Sequence, residues 1–154
     1  MRDQTPRRTS RPRMVGHRPD VSVRAWLRLV RTYQKVSQVA AEDLRREGLS
    51  TGQFDVLAQV GAAEGSTQQQ VADALLVTKS NVCQLLDRME RAGLVERQQH
   101  GRTNHLYLTV EGRRLYDRII PSHERKIAEL LSTLTIEEQT AMLGMLRKLD
   151  HALA

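Results

Sequence analysis

The hydrophobic period of this 154-residue chain changes at Gly93, and that change constrains its fold more than any other feature. Before Gly93, apolar residues recur every three or four positions, which predicts amphipathic helices. After it the period changes to two: residues 94–97 predict one short strand, and polar and apolar residues that alternate over 105–109 predict a second. The residues between the strands, 98–104, form a polar tip of about seven residues, too long for a tight two-residue turn.

Six helices are predicted from the apolar spacing and from residues that begin or end helices. Gly48 and Gly93 are typical of left-handed helix ends. Their counterparts at helix starts are three capping boxes, Ser50 with Gln53, Ser66 with Gln69, and Thr135 with Glu138. The predicted spans are about 21–47, 50–60, 67–75, 79–92, a helix that starts after Thr109 and contains Pro121, and 136–152.

The helix predicted over 79–92 has two chemically different faces. One face packs on the preceding helix through apolar residues at i, i+3, i+4 and i+7, namely Val82, Leu85, Leu86 and Met89. The opposite face begins with small polar residues and has no acidic residue before Asp87. A helix N-terminus also presents N–H groups and a positive dipole end, so this face suits a DNA major groove. Helix, short turn, helix and hairpin over 66–109 are the order of a winged helix-turn-helix.

Residues of this module have predicted roles in DNA contact, although each taken alone is also compatible with a solvated helix face. Gln84 and Asn81 suit paired hydrogen bonds with adenine. The four-residue spacing predicts that Asp87 pairs with Arg91 and leaves Arg88 able to reach a phosphate. The remaining candidates for backbone contact are Thr78, Lys79 and Ser80 on the helix and Arg97 and Arg102 on the hairpin.

Composition excludes several classes of protein. No apolar run approaches the ~20 residues of a bilayer span, so we expect a soluble, cytoplasmic protein. The single cysteine excludes an internal disulfide framework and a cysteine-based zinc site. Aromatic residues are 3% of the chain, too few for single-strand or RNA recognition by stacking. The net charge of +6 comes mostly from arginines in 1–19, a predicted disordered basic tail that suits a polyanion or serves solubility alone.

The first and last helices carry apolar faces that a small domain does not need for its own core. The first spans about 27 residues, roughly 40 Å, so we expect it to pack against another chain. The last is predicted to bury Ile136, Met142, Leu143, Leu146 and Leu149, with Leu153 just beyond it. The predicted fold is mainly α: a winged helix-turn-helix DNA-binding domain over 50–116, flanked by dimerisation helices over 20–49 and 117–154, with six helices and one β-hairpin wing.

The stretch from Ser50 to Gly112 resembles the MarR family of bacterial and archaeal transcription regulators. With the long flanking helices, the resemblance covers about 21–152. The matching segments are Leu76-Val77-Thr78-Lys79-Ser80-Asn81-Val82, Asp87-Arg88-Met89-Glu90, Gly93-Leu94-Val95-Glu96-Arg97 and Leu108-Thr109-Val110-Glu111-Gly112.

That resemblance implies a homodimer in which the first, fifth and sixth helices interlock about a two-fold axis. Two winged modules would then read a palindromic operator, repress transcription, and release the DNA when a phenolic or other amphipathic acid binds between the two lobes. Two departures from the family pattern matter. The tip at 97–105 lacks the carboxylate that often holds the wing arginine, here Arg102, and Gln84 stands where arginine is common, which shifts base preference from guanine towards adenine.

Three residues have two interpretations each. Trp26 and Tyr33 either line a small-molecule pocket or form plain interface core, since they lie at helical spacing. Cys83 is placed on the groove-facing side of its helix. It is either a redox switch or a tolerated small residue, and no second cysteine is present to resolve an oxidised form.

Enzymatic function finds no support in the motifs. The chain has no glycine-rich phosphate loop after a strand, no nucleophile elbow, and no histidine or carboxylate cluster with metal-ligand spacing. We therefore expect no enzymatic activity, no metal and no cofactor. The expected partners are double-stranded DNA, a second copy of the chain and a small-molecule effector. The alternatives are a winged-helix scaffold for protein contacts and a DNA binder that is constitutive or redox-responsive through Cys83.

Overall fold

The computed structural model describes residues 20–153, so the predicted basic tail, 1–19, lies outside the described residues. Within that range the fold is mainly α with one hairpin, as predicted. No helix in this range is long and apolar enough to cross a membrane. The elements are α1 (Val21–Arg46), α2 (Thr51–Ala62), α3 (Gln68–Ala74), α4 (Lys79–Arg91), β1 (Val95–His100), β2 (Thr103–Leu108), α5 (Val110–Leu131) and α6 (Ile136–Leu153).

The chain divides into two units, residues 1–33 and residues 34–154. The described part of the first unit is the start of α1, where the Asp20 carboxylate accepts a hydrogen bond from the Val21 amide at 2.6 Å. Apolar side chains on this part of α1 are exposed, Trp26 by 60% and Tyr33 by 69%. The second unit contains the end of α1, all later elements and the hydrophobic core.

The core of the second unit lies among α2, α3, α4, α5 and the hairpin. Its fully buried side chains are Val56, Leu57, Val60, Val71, Ala72, Val82, Leu86, Met89, Val95 and Leu106. Complete burial of one such aliphatic side chain contributes about 1.5–3 kcal/mol. Because three of these residues belong to α4, the core fixes which face of that helix points outward.

Polar caps set the helix starts, with one correction to the sequence prediction. Ser50 begins α2 through a reciprocal capping box, as predicted. The box predicted at Ser66 is wrong by one residue, because Thr67 is the N-cap of α3 and Gln70 is its partner. Ser66 does not cap the helix because its hydroxyl donates instead to the Ala63 carbonyl at 2.6 Å.

The hairpin is longer, and its turn tighter, than the sequence predicts. The strands pair antiparallel from Val95–Leu108 to His100–Thr103, so only Gly101 and Arg102 remain in the turn. Gly101 has φ +63°, a left-handed conformation that suits glycine in a two-residue turn. The predicted seven-residue tip is wrong because the outer half of each strand lies in solvent. The residues of these outer halves are polar on both faces of the hairpin. They pair through backbone hydrogen bonds, which need no alternation of apolar and polar side chains.

A short extended segment at 65–67 pairs with β2, a feature that the sequence did not predict. The Gly65 amide donates to the Leu106 carbonyl at 2.8 Å, and the Leu106 amide donates to the Ser66 carbonyl at 2.9 Å. Thr67 forms a bridge with His105, whose ring Nδ1 lies 2.6 Å from the Gly65 carbonyl oxygen and donates to it. Gly-Ser-Thr has no strand-like pattern, yet these bonds fix the base of the hairpin to the α2–α3 connection.

The predicted burial of α6 is not found within the single chain. The helix begins where predicted, because Thr135 and Glu138 form the expected capping box. None of its residues is buried, and Ile136 and Leu149 are 72% and 49% exposed. The apolar stripe correctly indicates a one-sided helix, but residues 20–153 do not bury that side.

The turn between α3 and α4 contains a strained residue. Leu76 has φ +54° and is 93% exposed. The left-handed conformation costs a residue with a Cβ atom about 1–2 kcal/mol. Backbone hydrogen bonds hold it in place, from the Leu76 amide to Asp73 at 3.2 Å and from the Val77 amide to Ala72 at 3.0 Å.

We expect Leu76→Gly to stabilise the folded protein by about 0.5–1 kcal/mol, because relief of the left-handed strain exceeds the added entropy of the unfolded chain. Ala74→Gly, an exposed helical position in α3, is the matched control and should lose about 0.5–1 kcal/mol. The measurement is urea unfolding at one fixed chain concentration. Destabilisation by both substitutions would show that Leu76 is not strained.

Candidate nucleic-acid interface

The exposed face of α4 holds most of the predicted contact residues. Its N-cap, Thr78, accepts a hydrogen bond from the Asn81 amide at 3.3 Å. The first turn contains no acidic residue, so the positive end of the helix is not neutralised from within the helix. The exposed residues on this face and at the cap are Thr78, Lys79, Ser80, Asn81, Gln84 and Arg88.

Arg102 lies in the two-residue turn at the end of the wing, which we define as the β1–β2 hairpin. Its side chain is exposed, and no carboxylate within residues 20–153 forms an ion pair with it. Next to the turn, the rings of His100 and His105 lie with their centroids 5.0 Å apart. The wing therefore ends in an arginine that is available to an anionic partner.

Arg97 differs from the other predicted contact residues because its side chain is only 17% exposed. Its guanidinium pairs with Asp87 at 2.6 Å and with Glu90, both on α4. The predicted pair of Asp87 with Arg91 is therefore wrong: Arg91 donates from Nε to the Asp87 backbone carbonyl at 3.0 Å. Helical spacing did not reveal that the wing base reaches the Asp87 carboxylate.

The charge on Arg97 is stabilised by its surroundings. Partial burial lowers the pKa of the guanidinium, but hydrogen bonds and the charges of Asp87 and Glu90 outweigh burial and raise that pKa above its ordinary value. The raised pKa is a consequence of the contacts that Arg97 makes with these two carboxylates of α4.

Cys83 is half-buried beneath this ion-pair cluster rather than fully exposed on the groove-facing side. Its sulfur lies 3.3 Å from the Gln68 side-chain amide on α3. Its backbone carbonyl accepts from Arg97 Nη2 at 3.4 Å. The residue therefore sits where α3, α4 and the wing base meet.

Two regions are relevant to a small-molecule ligand. In the first unit, Trp26 and Tyr33 lie seven positions apart on exposed parts of α1. In the second unit, a cavity of about 430 Å³ lies between the end of α1 and α5. It is lined by Asp43, Leu44, Arg46, Glu47, Ile119, Ser122, His123, Arg125, Lys126 and Glu129. The sequence did not reveal this cavity, because its residues come from distant helices.

His123 connects the cavity with α2. Its ring packs against that of Phe54 on α2, with centroids 4.2 Å apart and the ring planes tilted by 41°. Burial raises the pKa of the neighbouring Asp55 carboxyl, and the charge of His123 partly offsets that rise. In the sequence His123 is an isolated histidine, whereas in the structure it joins α5 to α2.

The chain is similar in sequence to known transcription regulators. A family model described as MarR family matches residues 47–103. An HTH-type transcriptional regulator of Bacillus cereus is 32% identical over 126 residues, which cover 82% of this chain and 86% of the relative. The HTH-type transcriptional regulator PecS of Dickeya dadantii is 30% identical over 148 residues, 90% of this chain and 89% of PecS.

Solved structures share the fold. AbsC, a MarR family transcriptional regulator from Streptomyces coelicolor, aligns with a TM-score of 0.80 and 23% identity, covering 88% of this chain and 95% of AbsC. FabT of Streptococcus pneumoniae, solved in complex with DNA, aligns at 0.73 with 25% identity and coverage of 86% and 96%. PcaV of Streptomyces coelicolor, solved with its natural ligand, aligns at 0.70 with 25% identity and coverage of 82% and 92%.

Proposed function

This chain belongs to the MarR family of DNA-binding transcription regulators, and on that premise we propose that it is a homodimeric repressor, released from a palindromic operator by a small ligand. The observation that carries the proposal is the outward polar face of α4, which has an acid-free first turn and is held by a fully buried opposite face. The family consists of transcription regulators, so an enzymatic role is not proposed.

The roles proposed for individual residues follow from exposure and chemistry. Gln84 and Asn81 read adenine edges in the major groove. Thr78, Lys79, Ser80 and Arg88 hold phosphates and set the register. Arg102 contacts the backbone or the minor groove from the wing. Arg97 is not proposed as a DNA contact, because its guanidinium is paired with Asp87 and Glu90.

A second copy of the chain is the proposed partner of the exposed apolar faces. We propose the same division into domains that the sequence predicts, with dimerisation helices at 20–49 and 117–154 and the DNA-binding module at 50–116. On α6, Leu143, Leu146 and Leu149 are exposed by 39–49%, a contiguous apolar stripe of the kind that marks an interface. A two-fold dimer would present two α4 helices to half-sites about one DNA turn, ~34 Å, apart.

The dimer is tested by placing a charge in this stripe. We expect the wild-type chain to sediment at about twice the 17.5 kDa mass of one chain. Leu146→Glu should weaken self-association by at least ~100-fold, because each copy must then bury a carboxylate. Lys148→Gln changes the net charge by the same amount away from the stripe and should leave the dimer intact. A wild-type chain that remains at single-chain mass at micromolar concentrations would contradict the proposal.

Two substitutions separate backbone contact from base readout. Arg102→Ala should weaken binding to all duplexes and lower the slope of log affinity against log salt by about one for each wing that contacts DNA. Gln84→Ala should keep the slope and relax preference at one base pair of each half-site, at a cost of ~1–3 kcal/mol. The measurement is fluorescence anisotropy with a duplex selected from a random pool, titrated at several salt concentrations. Unchanged binding by both variants would refute these assignments.

A small amphipathic acid is the proposed effector, with Trp26 and Tyr33 as candidate contacts. Trp26 is the single tryptophan of the chain, so its emission reports binding nearby. We expect a phenolic acid from a test panel to shift that emission and to weaken duplex binding by about 5–150-fold, the usual range of allosteric coupling. Tyr33→Ala should reduce both effects. Release of DNA with no change in Trp26 emission would place the effector elsewhere.

A further inference from the structure

We propose that Arg97 is a positioning residue for DNA recognition, which ties the base of the wing to α4 and pairs with two carboxylates beside the surface proposed to face DNA. The inference rests on the proposed function, since it assumes that α4 and the wing contact DNA. It gives Arg97 a role other than the phosphate contact predicted from the sequence.

The guanidinium of Arg97 is enclosed by partners from two helices. Nη2 lies 2.6 Å from Asp87 Oδ1 and 3.4 Å from the Cys83 carbonyl oxygen, and Nη1 contacts Glu90. With the Gln68 amide oriented so that its oxygen faces the guanidinium, that oxygen accepts from Nε at 2.7 Å. Each nitrogen of the guanidinium therefore has a partner within the protein, and the group is not directed at an external phosphate.

The backbone of Arg97 strengthens the same connection. Its amide donates to Glu90 Oε1 at 3.3 Å, so Glu90 holds both the main chain and the side chain of β1. Arg97 pairs across the hairpin with Leu106, which is fully buried. The turn begins at Gly101, four residues after Arg97 and just beyond the end of β1. The base of β1 therefore sets the direction in which Arg102 points.

Asp87 and Glu90 would oppose DNA binding if they were left unpaired. Their side chains are 56% and 41% exposed, and Asp87 lies three positions after the proposed base-reading residue Gln84. A carboxylate at that place repels the phosphate backbone, and two carboxylates three positions apart also repel each other. One guanidinium between them offsets their mutual repulsion and lowers the charge of the cluster from −2 to −1, and its planar fork is preorganised for carboxylates.

The test compares Arg97→Gln with a variant in which the two carboxylates are also neutralised, Arg97→Gln with Asp87→Asn and Glu90→Gln. Arg97→Gln should bind the selected duplex about 100-fold more weakly, because two uncompensated carboxylates then face the DNA. The triple variant should return to within about 10-fold of wild type, because its three amide side chains can still hydrogen-bond between the wing base and α4 without leaving any charge. The triple variant should keep a salt slope close to that of wild type, unlike Arg102→Ala, since no phosphate contact is lost. The deficit of Arg97→Gln should shrink as salt is raised, because salt screens the repulsion between its carboxylates and the DNA.

Circular dichroism and thermal unfolding check that each variant folds. If Arg97→Gln does not fold, the triple variant decides alone, because it leaves no unpaired charge: binding within about 10-fold of wild type supports the inference, and weaker binding by a folded protein overturns it. Wild-type affinity in Arg97→Gln, or a loss of slope equal to that of Arg102→Ala without recovery in the triple variant, would also overturn it. A wild-type chain that binds no duplex would refute the proposed function itself.

Discussion

The burial of one face of α4 is the constraint on which the rest of the structure depends. Val82, Leu86 and Met89 have no exposed surface, and each contributes about 1.5–3 kcal/mol through burial. Since a helix turns every 3.6 residues, fixing this face also fixes the opposite one, where Gln84 and Arg88 are exposed. The surface that we propose to face DNA is thus a geometric consequence of core packing.

The charged residues of α4 are also placed unevenly along the helix. The first turn, from Lys79, has no acid and presents the positive end of the helix. Both acids of the helix, Asp87 and Glu90, follow in its second half and share Arg97. Arg102 in the hairpin turn has no ion pair among the described residues. Positive charge is therefore available at the helix start and the wing end, whereas negative charge is compensated from within the protein.

Local signals predicted much of this fold. The capping residues Ser50 and Thr109 and the helix-ending Gly93 act within a few residues of themselves, so the sequence contains the information they need. The full length of the hairpin could not be predicted from the sequence, because its solvent-exposed outer half is held by backbone pairing and shows no apolar alternation. The sequence predicts a DNA contact for Arg97 because the carboxylates that engage its guanidinium come close to it only through tertiary packing. The stripe on α6 predicted a covered face, but a stripe in one chain does not identify what covers it.

The central claim is that the polar face of α4 lies against DNA, and amide chemical shifts test it most directly. The measurement records the shifts of isotope-labelled protein as a duplex selected from a random pool is added. The account predicts the largest changes at 78–84 and around the hairpin turn at 100–103, with small changes along α6. Specific duplex binding with unchanged amides over 78–84 would contradict it.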